Sequence, residues 1–182
     1  MARGLLFDQT YFYENTEVDE NTDWKLLRPS VWDAQELYIQ DIIGSPLYNE
    51  IKTQIVASTL TGLNTTLVDD YLAPCLLKYV MTDAQVSLLY KYRNKSVLKD
   101  RSDSSNPIDF KEHRYLKDFY QMKAERYAEK VERYLCANST SYPLYTTYTT
   151  SDEVRAHSVS NTVSVYLGDI DNDIKTGFDF PT

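Results

Sequence analysis

Glycine is scarce in this chain, with five in 182 residues, and so are cysteine and histidine, with two of each. No apolar run approaches the ~20 residues that a membrane-spanning helix requires. Each shortage excludes a class of chemistry. There is no GxxxxGK[ST] and no GxGxxG, so a phosphate-cradling loop is not expected. His113 and His157 belong to no HExxH and no Cys/His cluster, which argues against a zinc centre. No GxSxG supports a nucleophilic serine. Cys75 and Cys136 lie in helical patterns outside any CxxC, so both are expected to be small buried residues rather than a disulfide or reactive thiols. Asp169, Asp171 and Asp173 have calcium-loop spacing, but Ile174 stands where the turn needs glycine and Phe180 where a bidentate glutamate belongs, so a solvated acidic tail is expected. The expectation is a chain with no catalytic, cofactor-binding or metal-binding residues. Positive charge is short as well: 19 Lys and Arg face 27 Asp and Glu, a net charge of −8. Such a protein is not built to grip DNA, although it can surround DNA without holding it. The opening MARGLLF is too short an apolar run for a signal peptide, and synthesis in a cytoplasm is expected.

Tyrosine is what the chain has in excess, with 16 residues. A buried tyrosine needs a hydrogen-bond partner, and tyrosine-rich surfaces favour interfaces. Residues 1–22 read as an acidic N-terminal arm, with Tyr11-Phe12-Tyr13 to pack it and no Lys or Arg between 7 and 23. Residues 23–138 read as a helical bundle. A first helix starts near Asp23 or at Pro29 and carries an inward stripe of Leu27, Val31, Ala34, Tyr38 and Ile42. Gly44 suits the left-handed position after it. Ser45 is then expected to cap a second helix that has Pro46 at its first position and a stripe of Leu47, Ile51 and Ile55. A third helix is expected from about Thr66 to Tyr90, with a kink at Pro74 and Leu67, Tyr71, Cys75, Leu76, Tyr79 and Val80 facing inward. The basic connection at 91–106 is read as a solvated loop in preference to a hairpin. A fourth helix opens at Asn106-Pro107 and runs to about Cys136, roughly 45 Å, with Tyr115, Phe119, Met122, Val131, Tyr134 and Leu135 on one face. That exceeds what a compact bundle needs, so one end is expected to project or to carry partner contacts. The last segment, 139–182, is rich in Tyr, Thr and Val and is expected to extend and dock on a neighbouring subunit. The fold class expected is mainly α: a small four-helix bundle with an extended arm and tail.

The corner AQELYIQDIIGSPLY, the helix opening LVDDYLAP, and the long helix YLKDFYQMKAERYAEKVERYLCAN followed by YPLY form a combined signature. It resembles the head–tail connector (adaptor or ring) proteins of tailed bacteriophages, most closely those of crAss-like phages. Their corner typically reads AQ-x-x-YIQ-x-x-LG-x-x-LY. The matching residues are Ala34, Gln35, Tyr38, Ile39, Gln40, Gly44, Leu47 and Tyr48, then Tyr71, Pro74, Tyr134, Leu135, Cys136, Tyr142, Pro143 and Tyr145. Asp41 and Ile43 depart from the pattern, as does the chain after 146. The resemblance implies a structural virion protein, synthesised in the host cytoplasm and located at the head–tail interface. It implies a dodecameric ring of copies beneath the portal protein, touching the next tail or connector protein. DNA would pass through its lumen without sequence-specific binding, and no membrane is involved. The interface residues expected on this reading are Tyr142, Tyr145, Tyr148, Val163, Val165, Tyr166 and Leu167 in the tail and Lys95 and Lys99 in the basic connection. The corner residues Tyr38, Gly44, Pro46, Leu47 and Tyr48 would form a scaffold that fixes the angle between helices. The competing readings are a helical binding module outside the virion and an enzyme built from scattered carboxylates and tyrosines.

Overall fold

The computed structural model describes residues 4–93, 96–99, 110–147 and 154–156. Four main helices carry the fold. A short helix α1, Gln9–Glu14, precedes them, and its first turn is capped by the Asp8 carboxylate, which accepts from the Tyr11 amide at 2.9 Å. Helix α2 starts at Trp24, where the Asp23 side chain accepts from the Lys25 amide, so Pro29 lies inside the helix and does not open it. It runs as α-helix over Trp24–Ala34, widens into a π-helical turn over Gln35–Ile39 and closes over Gln40–Ile43. Helix α3 spans Ser45–Ala57 and ends at Ser58, a non-glycine residue in left-handed conformation. Helix α4 begins earlier than its sequence suggests, at Gly62 behind a Thr61 cap. It covers Gly62–Leu67, a second π-helical turn at Val68–Leu72, and Ala73–Leu89. Helix α5 spans Phe110–Ala137. The residues Asn106 and Pro107 expected to open it lie outside the described residues.

The two π-helical turns change which residues face inward. Each places one extra residue in a turn and so advances the inward face by one position. In α2 the expected Tyr38 gives way to Ile39, which is fully buried, and Ile43 joins Ile42 in the core. In α4 the expected Tyr71 gives way to Leu72 in the same manner. The α4 turn stands directly before Pro74, whose ring in a regular α-helix crowds the carbonyl four residues back. The expected disturbance at Pro74 therefore takes the form of a widened turn.

The core is continuous from the arm to the segment after α5, and takes in Leu6, Phe12, Leu27, Val31, Ile51, Leu76, Val131, Leu135, Tyr145 and Ala156. The arm packs by its aromatics: Phe7 stacks on Tyr11 at 5.4 Å, Phe12 meets Trp24 at 5.7 Å, and the Tyr13 hydroxyl donates to the Thr22 carbonyl. After α4 the chain turns through a two-stranded antiparallel hairpin, β1 (Tyr90–Arg93) and β2 (Ser96–Lys99), with Lys91 opposite Leu98 and Arg93 opposite Ser96. The basic connection thus begins as the hairpin that sequence ranked below a loop. Backbone pairing between the two short strands offsets the cost of ordering them.

Candidate functional site

The chain's two flanking segments meet at the α2–α3 corner. Gly44 has φ 79° and ψ 153°, outside the left-handed helical region expected for it and in a region open essentially to glycine alone. A Cβ there would also come within 3.1 Å of the Ala156 amide nitrogen. Gly44, and not Ser45, is the cap of α3, and the Ser45 hydroxyl makes no capping bond. It accepts instead from the Val154 amide and from Gln40 Nε2, both at 2.9 Å, while the Ser45 amide donates to the Val154 carbonyl at 2.9 Å. The broken helix end therefore receives an extended segment, and Ala156 is fully buried against it.

The other side of the corner holds the arm. Gln35 is buried, and its amide is fully used. Its Oε1 accepts from the Leu6 amide, and its Nε2 donates to the Gly4 carbonyl and to the Tyr48 hydroxyl, each at 3.0 Å. Tyr48 donates in turn to Glu36 Oε1 at 3.0 Å, and Glu36 pairs with Lys52 at 2.6 Å. The Lys52 ammonium also sits over the rings of Trp32 and Tyr48, at 4.7 and 5.2 Å. Burial pushes the Tyr48 hydroxyl pKa well up; the Gln35 hydrogen bond lowers it and the Glu36 bond and charge raise it further, so it stays protonated and donates.

The tyrosines displaced by the π-helical turns do not reach solvent alone. Tyr38 stacks on Tyr79 at 4.3 Å and 9°, and Tyr71 stacks on Tyr134 at 4.0 Å and 22°. The Tyr38 hydroxyl donates to Asp83 at 3.4 Å. The Tyr38–Tyr79 pair lines a groove of about 390 Å³ between α2 and α5, together with Asp41, Ile42, Glu125, Ala128, Glu129 and Glu132. Burial raises the pKa of Tyr79, and the nearby carboxylates of Glu125 and Glu132 add to the rise. Among the described residues no group of three or more His, Cys, Asp or Glu is arranged to hold a metal ion.

The expected interface residues separate into three sets. Tyr142 and Tyr145 are 3% and 1% exposed, so they are not free for a neighbour. Tyr142 donates to the Leu63 carbonyl at 2.8 Å and lies beside Tyr134, while Tyr145 sits in the 3₁₀ turn Pro143–Tyr145. The chain after α5 therefore docks first on its own bundle, since the hydroxyl of a packed tyrosine needs a partner and Leu63 supplies one. Tyr148, Lys95, Val163, Val165, Tyr166 and Leu167 lie outside the described residues; Lys99 ends β2, and its side chain is not described. Of the corner residues, Leu47 and Tyr48 are buried, Pro46 stands in the first turn of α3, and Tyr38 is half-buried. Of the two cysteines expected to be buried, Cys75 is, but Cys136 is exposed, at a position near the end of α5 that the core does not cover.

The expected α5 stripe holds only in part. Val131 and Leu135 are fully buried, but Tyr115 is 71% and Met122 54% exposed, and Leu116 is exposed beside them. Sequence reasoning missed the joint work of Gln40, Ser45 and Val154, which lie too far apart along the chain for any periodicity to link them. Polar Gln35 and Gln40 beside an apolar stripe were the available signal.

A family of unknown function (DUF6712) matches residues 39–155, well over half of the chain. The chain belongs to this family. The DUF6712 span opens inside the π-helical turn of α2 and closes in the segment docked on Ser45. It thus takes in the corner and its returning segment and leaves out the arm. No curated protein and no solved structure matches the chain.

Proposed function

We propose that this protein is a structural component of a bacteriophage virion, a ring of identical copies beneath the portal that joins head to tail and extends the DNA channel. The ring is dodecameric on this reading. Its partners are neighbouring copies, the portal protein and the next tail component, and DNA passes through its lumen without sequence-specific contact. The reading rests on the corner and long-helix signature. What supports it in the fold is the first half of α5, where Tyr115, Leu116 and Met122 are exposed on a helix whose second half is core. A helix that carries its apolar stripe beyond its own bundle suits a protein with neighbours. The net charge of −8 suits a channel that must release DNA, since fixed cations would hold phosphate. The signature residues do packing work in this fold, at Gln35, Gly44 and Tyr48, and no catalytic role is assigned to them.

The test is the mass of the purified chain by sedimentation, alone and with portal-containing heads, followed by imaging of the heads. A stoichiometric ring at the portal vertex is expected. A chain that neither binds heads nor self-associates would overturn the reading. A binding module outside the virion is the second reading. A groove of about 780 Å³ between the arm and α2, lined by Trp24, Arg28 and Trp32, favours it.

A further inference from the structure

The groove at the Tyr38–Tyr79 pair is shaped for a flat cation. Two half-buried rings stacked at 4.3 Å form an aromatic wall, and Asp41, Glu125, Glu129 and Glu132 stand around it with no lysine or arginine in the lining. Lysine and arginine side chains bind against such walls through the ring quadrupole, and arginine adds paired hydrogen bonds to carboxylates. At least three of the acids already have partners, Glu132 among them. Glu125 accepts from Gln121 at 3.1 Å, and Glu129 lies 3.6 Å from Arg126. Both contacts are exposed pairs within one helix, which contribute little and exchange readily for a better partner.

A second observation lies elsewhere in the same chain. Between 91 and 101 stand Lys91, Arg93, Lys95, Lys99 and Arg101, against a single acid, Asp100. The segment starts as the hairpin β1–β2, and Arg93, paired with Ser96, closes its described end. In a chain of net charge −8 this is a concentrated positive element, and it begins on a short two-stranded hairpin.

We infer that the groove of Tyr38, Tyr79, Asp41, Glu125, Glu129 and Glu132 receives the basic hairpin of a second copy of this chain, with an arginine or lysine laid against the stacked tyrosines. A basic element on one copy and an acidic receptor on the next make a head-to-tail contact, the kind that closes into a ring. The inference deepens the ring reading and takes from it only that copies of the chain meet.

The test is a charge exchange in the full chain. One variant carries Arg93→Glu and Lys95→Glu, and the other carries Glu125→Lys and Glu129→Lys. Sedimentation of each variant alone should show self-association at least about tenfold weaker than that of the unmodified chain. Mixing the two should restore it, because each groove then meets a hairpin of opposite charge. Association that survives both reversals, or that mixing fails to restore, overturns the contact while leaving a ring reading intact. For a chain monomeric at all concentrations, a fluorescent peptide of residues 90–101 is the probe. Saturable binding to the unmodified chain, lost in the groove variant, supports the contact even where no ring forms. No binding, or equal binding to both, overturns it.

Discussion

Removing the Ser45 hydroxyl takes an acceptor from two donors at once, the Val154 amide and Gln40 Nε2. Ser45→Ala should cost about 1–3 kcal/mol, because the orphaned groups lose their partners inside the protein. Amide exchange at Val154 should quicken while the helices keep their protection, and an unchanged rate there would sink the docking role. Gly44→Ala should cost about 1–3 kcal/mol from the backbone conformation alone, with a further penalty where its Cβ meets Ala156; denaturant unfolding measures the sum. Asp83 gives a pH signature. Burial raises its pKa first; the Tyr38 hydrogen bond and Lys117 oppose the rise, and Asp33 adds to it. The folded chain therefore binds this proton more tightly than the unfolded chain does. The resulting stability is present in acid and is lost as pH rises through the folded value. Asp83→Asn removes that loss, so the variant should gain on the unmodified chain as pH rises from acid to neutral. Parallel melting curves at every pH would contradict the assignment.

Helices α2 and α4 were legible in the sequence as elements and partly misread as faces. Leu27, Val31 and Ala34 occupy the core as their spacing requires. Past Gln35 the spacing slips by one, because a π-helical turn inserts a residue that no apolar period announces. A regular helical period puts Tyr38 and Tyr71 in the core, whereas both stand at its edge in stacked pairs. The aromatic groove was invisible to periodicity for the same reason. The hairpin is faint in the sequence, since a stretch so rich in charge carries little strand signal. In α5 the stripe was read correctly as a sequence pattern, but a pattern does not say where the covering helices stop. The exposed half yields a prediction of its own: Tyr115→Ser with Met122→Ser should shift stability by no more than ~0.5 kcal/mol, as surface changes do. The same pair should weaken assembly on heads. A large loss of stability would return these residues to the core.

For the molecule as a whole, Cys75 serves as a gauge of opening. Burial first, then the charge of Glu132, pushes its thiol up to about 12. A native chain should give one fast-reacting thiol, that of Cys136, and a second only as the bundle opens, with a labelling rate that follows global stability. Two fast thiols in the native state would contradict the packing. The corner sets how the molecule carries a load. Arm and returning segment are anchored by different side chains, Gln35 for one and Ser45 for the other, on opposite sides of Gly44. Tension drawn through the returning segment falls on its contacts at Ser45, one to the amide and one to the hydroxyl, and on those of Arg155 and Ala156, so these contacts can act as a fuse. They part and the arm stays fastened, and the helices beneath are spared the pull.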